Sequence, residues 1–109
     1  AACMMTKKAL FQKVKGFDEK FQVAFNDIDY CMKVRKEEKL VVFTPYAQLY
    51  HYESKSRGKE ETAAQMERFA GEVQRFEKKW LEILKKGDPY YNKNLTLKKG
   101  DCSLRTADE

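Results

Sequence analysis

Two aspartates, Asp27 and Asp29, stand where a loop meets a segment whose apolar residues have helical spacing. Asn26 and Asp27 both have side chains that favour the start of a helix. A carboxylate at such a junction can accept a proton from a hydroxyl nucleophile. Acids in a first helical turn also stabilise the helix by facing the positive end of its dipole, which is their commoner role. These residues alone leave both interpretations open.

A second group of candidate residues lies further along the chain. His51 is the only histidine and stands near the end of a run, 46–52, whose side chains alternate as in a strand. There it could bind a metal ion or a phosphate, although a lone histidine among tyrosines is more often a packed, hydrogen-bonded residue. Residues 54–58 provide two hydroxyls, two cations and a glycine, which together can surround a diphosphate. The alternative is a solvated loop before a helix.

The elements that would position these residues are short strands and helices. Strands are predicted at 2–5, 40–43 and 46–52, and helices at 6–14, at 26 to about 38 and at 62 to about 86. Gly16 suits the end of the first helix, and the loop after it carries two aromatic anchors, Phe17 and Phe21. The apolar strand at 40–43 is expected to be buried. This pattern is typical of an α/β protein.

The segment 62–86 is the clearest helix. Its apolar residues form one continuous stripe, Met66, Phe69, Val73, Phe76, Trp80 and Ile83. Glu72 and Glu82 each lie three residues before a cation, Arg75 and Lys85, and are predicted to face the polar side. Gly87 and the Asp-Pro pair after it should end the helix. The stripe is expected to cover the strand at 40–43 and the two shorter helices.

Length and composition allow one small domain with a single core. The 109 residues are 42% hydrophobic and 36% charged, and the net charge of +5 favours anionic partners without selecting among them. No apolar run approaches the length of a transmembrane helix. Three cysteines without a CxxC pair argue against a disulfide framework or a zinc cluster. The first residues resemble the middle of a strand without an initiator methionine, so we expect the chain to belong to something longer.

Four short motifs occur in an order that resembles family 2 glycosyltransferases. They are VKGFDE at 14–19, NDIDY at 26–30, YHYESKSRG at 50–58 and DPYYN at 88–92. In that family a GGFDE loop precedes an EDxD helix start, and an HxxSxSRG segment follows. The chain departs from this pattern at Lys15, where glycine is usual, and at Asn26 and Tyr30, where glutamate and leucine are usual. The resemblance covers residues 2 to about 97 and points to the bacterial polysaccharide and rhamnan-type enzymes.

The resemblance implies the GT-A fold, with residues 1–97 as the C-terminal, acceptor-side part of a catalytic domain and 98–109 as a polar, mobile tail. The implied reaction is an inverting transfer of a sugar from a nucleotide-diphospho-sugar to a hydroxyl of a glycan or lipid-linked acceptor. Asp27 matches the catalytic base of this reaction. Asn26 and Asp29 match the acceptor loop, which Asp29 would support. Asn26 replaces the usual glutamate, so the resemblance does not define the acceptor specificity if that glutamate helps to bind the acceptor or tune the base, whereas the base itself is retained.

The same resemblance implies how the leaving group is held. His51 matches a ligand of a divalent cation, Mn²⁺ or Mg²⁺, whose other ligands would come from the nucleotide-binding half of the domain. Ser54 and Arg57 match the loop over the diphosphate. No DxD motif with a Rossmann-like run occurs in this chain, so the chain alone is expected to be inactive.

Further expectations concern location and partners. The enzyme would be cytoplasmic, or peripheral at the inner face of the membrane, without a nucleic-acid partner. Self-association through the apolar surface of the part-domain is also expected.

A competing interpretation is a non-catalytic basic module that binds an anionic polymer or a partner protein. It rests on the +5 charge, the tyrosines and the long amphipathic helix. Affinity for nucleotide-sugars would favour the transferase. Strongly salt-dependent binding to a polyanion would favour the basic module.

Overall fold

The computed structural model describes residues 2–52 and 62–109. Three helices follow one another, α1 (Lys8–Lys13), α2 (Asn26–Lys36) and α3 (Ala63–Lys86). The chain divides into two compact units, Ala1–Lys79 and Trp80–Glu109. The division falls inside α3, where Trp80 leaves helical geometry with φ −113° and ψ 18°. Within the described ranges, no helix is long and apolar enough to cross a membrane.

α1 ends in a turn built by two residues with positive φ. Lys15 and Gly16 have φ values of 61° and 60°, and the N–H of Gly16 donates to the carbonyl oxygen of Phe11 at 2.8 Å. A Cβ added at Gly16 would lie 2.8 Å from the Phe11 ring. Glycine is therefore needed at this position, as predicted for the helix end. Lys15 adopts a conformation that residues other than glycine rarely take.

α2 begins directly after Phe25, which has a left-handed φ of 66°. The side-chain oxygen of Asn26 accepts the N–H of Asp27 at 2.7 Å, and Asp27 Oδ1 accepts the N–H of Ile28 at 2.9 Å. These bonds satisfy amides that the first turn of a helix cannot pair internally. The acids of the first turn and the basic residues of the last turn suit the helix dipole at both ends.

α3 begins at Ala63 behind a reciprocal cap. The N–H of Gln65 donates to Thr62 Oγ1 at 3.2 Å, and the N–H of Thr62 donates to Gln65 Oε1 at 2.9 Å. The helix ends at Lys86, followed by Gly87 with φ 73°. The bounds predicted for this helix, 62 to about 86, are therefore confirmed, but the helix is not continuous, because it leaves helical geometry at Trp80.

One aromatic cluster joins α1, α2 and the loop between them. The ring centroids of Phe11, Phe17 and Tyr30 lie 5.4, 5.5 and 5.5 Å apart. The sequence predicts the first helix from Thr6, but it begins at Lys8. The Thr6 hydroxyl instead lies 2.6 Å from the Tyr30 hydroxyl, in a hydrogen bond that satisfies the polar tip of this buried ring.

A second aromatic cluster joins α3 to the loop before α2. The ring of Phe25 stacks on Phe69 and Phe76, with centroids 5.9 and 5.0 Å away. Phe21 meets Phe76 edge-on at 6.1 Å. Within the first unit, part of the apolar stripe of α3 therefore covers this loop.

The three predicted strands do not form among the described residues. Segments 2–5, 40–43 and 46–52 pair into no sheet, and the burial predicted for 40–43 is wrong, since Val42 and Phe43 are 75% and 87% exposed. A strand needs the backbone of a neighbour, and the described part of the chain supplies none to these segments. The α/β class and the GT-A fold stay predictions, because a mainly helical segment is compatible with membership of such a fold.

In the second unit the chain after α3 folds back on itself. Leu95 and Leu104 form an isolated antiparallel bridge. Thr96 is buried, its N–H donates to the Ser103 carbonyl at 2.9 Å, and its hydroxyl donates to Glu109 at 2.6 Å. These contacts connect the predicted tail, 98–109, to residues 95 and 96, while the mobility of that tail stays a prediction.

Candidate active site

Asp27, the predicted base, lies in the first turn of α2 with a half-buried side chain. Its Oδ1 accepts the N–H of Ile28, but the N-cap of α2 is Phe25 and no side chain caps the helix, so the capping predicted for Asn26 and Asp27 is wrong. The same bond restricts rotation of the carboxylate. A general base needs a fixed direction toward the proton it removes, so this hydrogen bond and a chemical role are compatible in one residue.

The loop that leads to Asp27 is held by a carboxylate on α3. Glu72 is 1% exposed, and its Oε1 accepts the backbone N–H groups of Gln22 and Val23 at 2.7 and 3.1 Å. Its Oε2 accepts the N–H of Ala24 at 3.0 Å. Three consecutive amides thus surround one carboxylate, an arrangement that binds anions well.

The pKa of Glu72 reflects this balance of burial and hydrogen bonding. Burial favours the neutral acid and would raise the pKa. The three backbone donors and the charge of Arg68 outweigh it and lower the pKa below the ordinary value of 4.5. Glu72 is therefore an anion at neutral pH, and the loop is bound to a charged group.

Asp29, predicted to support the acceptor loop, lies in the interior with no exposed surface. Lys79 Nζ on α3 donates to Asp29 Oδ1 at 2.7 Å and to Asp18 Oδ2 at 2.8 Å. Lys33 Nζ lies 3.8 Å from the other oxygen of Asp29. Asp29 is therefore shielded from solvent in this structure, and its contact with Lys79 ties α2 to α3.

The charges of this bridge stabilise one another. The hydrogen bond from Lys79 lowers the pKa of Asp18, and the backbone N–H of Lys20 acts in the same sense. Partial burial would lower the pKa of Lys79, but Asp18 and Asp29 outweigh it and raise that pKa above 10.5. The ammonium group also lies 5.6 Å from the centre of the Phe21 ring. Lys79 and Asp18 are therefore both charged over the neutral range.

Sequence reasoning did not identify Glu72 or Lys79 as part of the site. Glu72 was predicted on the polar side of α3 with Arg75, and this is wrong, because Glu72 faces the loop and Arg75 donates to the Lys20 carbonyl at 2.7 Å. The spacing of these two charges from the aromatic residues of α3 indicated that they face inward. Positions 72 and 79 lie three residues after Phe69 and Phe76, so both charges fall on the apolar face.

The remaining predicted site residues are not brought together by the described structure. His51 is exposed in the segment 46–52, which is neither helix nor strand. Ser54 and Arg57 lie outside the described residues. The described residues contain no group of three or more His, Cys, Asp or Glu side chains placed to hold a metal ion. On their own they do not fit the predicted divalent cation, for which His51 would be a single ligand.

The chain is similar over nearly its whole length to segments of two larger proteins. It is 44% identical over 105 residues to the uncharacterized protein y4gI of Sinorhizobium fredii, a match covering 95% of this chain and 11% of that protein. It is 35% identical over 105 residues to the O-antigen biosynthesis protein RfbC of Myxococcus xanthus, covering 96% of this chain and 8% of that protein. The chain therefore spans only about a tenth of the length of these relatives.

A shorter similarity links the chain to a protein named for a reaction. It is 29% identical over 59 residues to the N-acetylglucosaminyl-diphospho-decaprenol L-rhamnosyltransferase of Mycobacterium tuberculosis. This match covers 54% of the chain and 19% of that protein. No protein family model and no solved structure matches the chain significantly.

Proposed function

We propose that this chain is the acceptor-side segment of an inverting glycosyltransferase that works in surface-polysaccharide synthesis. The observation that carries the proposal is the similarity, over 96% of the chain, to a protein named for O-antigen biosynthesis. The shorter similarity to a rhamnosyltransferase supports the same reaction class. The donor is a nucleotide-diphospho-sugar and the acceptor a glycan or lipid-linked glycan, used in the cytoplasm or at the inner face of the membrane.

In this reaction Asp27 is the general base. Its carboxylate takes the proton of the acceptor hydroxyl while that oxygen attacks the anomeric carbon of the donor. The bond between the anomeric carbon and the diphosphate oxygen breaks, and the diphosphate leaves with the electron pair. Attack from the face opposite the leaving group inverts the configuration. The half-buried position of Asp27 and its hydrogen bond to Ile28 support the assignment.

The leaving-group side of the site lies in the segment that contains His51, Ser54 and Arg57. Ser54 and Arg57 would donate to the diphosphate as its charge develops. A divalent cation would take His51 as one ligand and its other ligands from outside the described residues. No step of the mechanism proposed for Asp27 depends on that cation.

The test is sugar transfer by the full-length protein that carries this chain, purified with Asp27→Asn or unchanged. Release of UDP or dTDP from UDP- and dTDP-sugars is measured with membrane lipid extract as the acceptor source. Asn keeps the size of the side chain and its hydrogen bond to Ile28 but removes the basic oxygen. Turnover should fall by about 10²–10⁴-fold.

Glu77→Gln, an exposed change on α3, is the matched control and should transfer normally. Circular dichroism should report the same fold for all three proteins. Near-normal turnover by Asp27→Asn would reject the base assignment.

A further inference from the structure

Glu72 occupies an unusual place for a carboxylate. It is 1% exposed and stands on the face of α3 that carries Phe69 and Phe76. Burying a carboxylate is costly unless several donors replace the water it loses. The donors that hydrogen-bond to it are three successive backbone amides at 22–24, so the carboxylate holds the backbone of a loop in one conformation.

The same face of α3 holds the next residue of that loop. Phe25 has φ 66° and stacks between Phe69 and Phe76. A residue other than glycine keeps a left-handed conformation only where its surroundings favour it over the alternatives. The helix therefore binds residues 22–24 through Glu72 and residue 25 through two rings, and α2 begins with the residue after them.

We propose that Glu72 is the positioning residue of this site, which sets the direction of the Asp27 carboxylate by binding the amides at 22–24. Ala24 is three residues from Asp27, and Phe25 and Asn26 between them have fixed contacts. Movement of the loop therefore moves the start of α2. The structural part of the inference stands on these contacts, while its consequence for the rate rests on the proposed role of Asp27 as base, since a misplaced base loses rate steeply.

The structural part is tested by NMR on the 109-residue chain with Glu72→Gln, Glu72→Asp and the exposed control Glu77→Gln. In Glu72→Gln the amides at 22–24 should exchange with solvent roughly tenfold faster or more, because an ionic acceptor is lost. The Asp27 carboxyl carbon and the Ile28 amide should shift as their hydrogen bond changes. Glu72→Asp should give smaller changes of the same kind, and Glu77→Gln none.

The inference is overturned if the Asp27 and Ile28 resonances stay in place in a folded Glu72 variant whose loop amides exchange faster. Glu72 would then stabilise the loop without positioning the acid. If Glu72→Gln does not fold, Glu72→Asp decides the question by the same two resonances, because it keeps the charge and shortens the side chain by one carbon.

Kinetics of the full-length protein separates this inference from the proposed function. Glu72→Gln should lower kcat about 10–100-fold with KM nearly unchanged, and Glu72→Asp should recover part of the loss. A loss confined to KM would contradict a positioning role. If Asp27→Asn turns over normally, the proposed function fails, and the NMR result alone still decides whether Glu72 positions Asp27.

Discussion

Lys79 on α3 donates a hydrogen bond of 2.7 Å to Asp29, a carboxylate at the start of α2 that has no exposed surface. The same ammonium group binds Asp18 at 2.8 Å. One cation therefore joins α2 and the loop after α1 to the long helix. A buried carboxylate that loses its nearest cation has a large desolvation cost, which Lys33 at 3.8 Å offsets only in part, so this contact is expected to stabilise the first unit strongly.

Replacing Lys79 by methionine, which keeps most of its length, should lower the free energy of unfolding by about 2–4 kcal/mol. The lower part of this range is expected because the Lys79 side chain is itself 33% exposed. Urea unfolding at neutral pH measures the change. Lys85→Met is the matched control, since Lys85 forms an exposed pair with Glu82 at 3.6 Å. This substitution should lower the free energy of unfolding by only about 0–0.5 kcal/mol. Equal losses of unfolding free energy in the two variants would show that the Lys79 bridge stabilises the protein no more than an exposed ion pair does.

The stability of the protein should depend on pH through Glu72. Glu72 binds a proton more weakly in the folded protein than in the unfolded chain, where its ordinary pKa of 4.5 applies. Its contribution is complete above about pH 5 and is lost as the pH falls through the lowered folded-state pKa. Between about pH 6 and pH 3, wild type should lose more unfolding free energy than Glu72→Gln. Glu77→Gln should follow wild type, and parallel curves for wild type and Glu72→Gln would contradict the lowered pKa.

Substitutions at two neighbouring residues of the turn after α1 should change the stability of the protein in opposite directions. Lys15→Gly should stabilise the protein by about 0.5–1 kcal/mol, because it relieves a left-handed conformation at φ 61°. Gly16→Ala should destabilise it by at least about 1 kcal/mol, because φ is 60° and the new Cβ would meet the Phe11 ring. Thermal unfolding of both variants measures the difference. A lower melting temperature for Lys15→Gly would show that the lysine side chain contributes more than its strain costs.

The 109-residue chain alone should bind neither Mn²⁺ nor a nucleotide-sugar with micromolar affinity. The described residues assemble no metal site, and Ser54, Arg57 and His51 would hold a diphosphate from one side only. Exposed ion pairs contribute about 0–1 kcal/mol each, which leaves the diphosphate mostly hydrated. Calorimetry with UDP- and dTDP-sugars, with and without Mn²⁺, is the measurement, and His51→Ala is the control. Micromolar binding that disappears in His51→Ala would show that the site is complete in this chain.

The apolar segment 40–52 should make the isolated chain self-associate. Val42 and Phe43 are among its exposed side chains, and exposed apolar segments of strand-forming composition tend to associate with another chain. Sedimentation equilibrium should show a mass that rises with concentration, and Val42→Lys should reduce it. Leu97→Lys, an equally exposed change outside the segment, should not. A monomer at all concentrations would remove this expectation.

Local patterns in the sequence were enough to predict the helices and the position of Asp27 in the second of them. The period of the apolar residues located α3, and Gly16 and Gly87 marked helix ends correctly because each adopts a positive φ. Asp27 stands in the first turn of α2, as predicted from the preference of acidic residues for that turn, although the N-cap is Phe25. Such signals succeed because they depend on contacts within one or two turns of the chain.

Burial and strand pairing could not be obtained in the same way. The apolar run at 40–43 has the composition of a buried strand, yet its side chains are exposed. The composition of a segment indicates how much free energy its burial would contribute. A strand also needs the backbone of a partner strand, and the sequence pattern does not indicate where that partner lies.

Only the tertiary structure decided which charges of α3 point inward. Their spacing places Glu72 and Lys79 on the apolar face, and a charge there is stable only if donors or opposite charges meet it. The partners of Glu72 begin at Gln22, 50 residues earlier, and Lys79 finds Asp18 61 residues earlier. No local pattern encodes contacts over that separation, because they exist only once α3 has packed against the loops at 18–24.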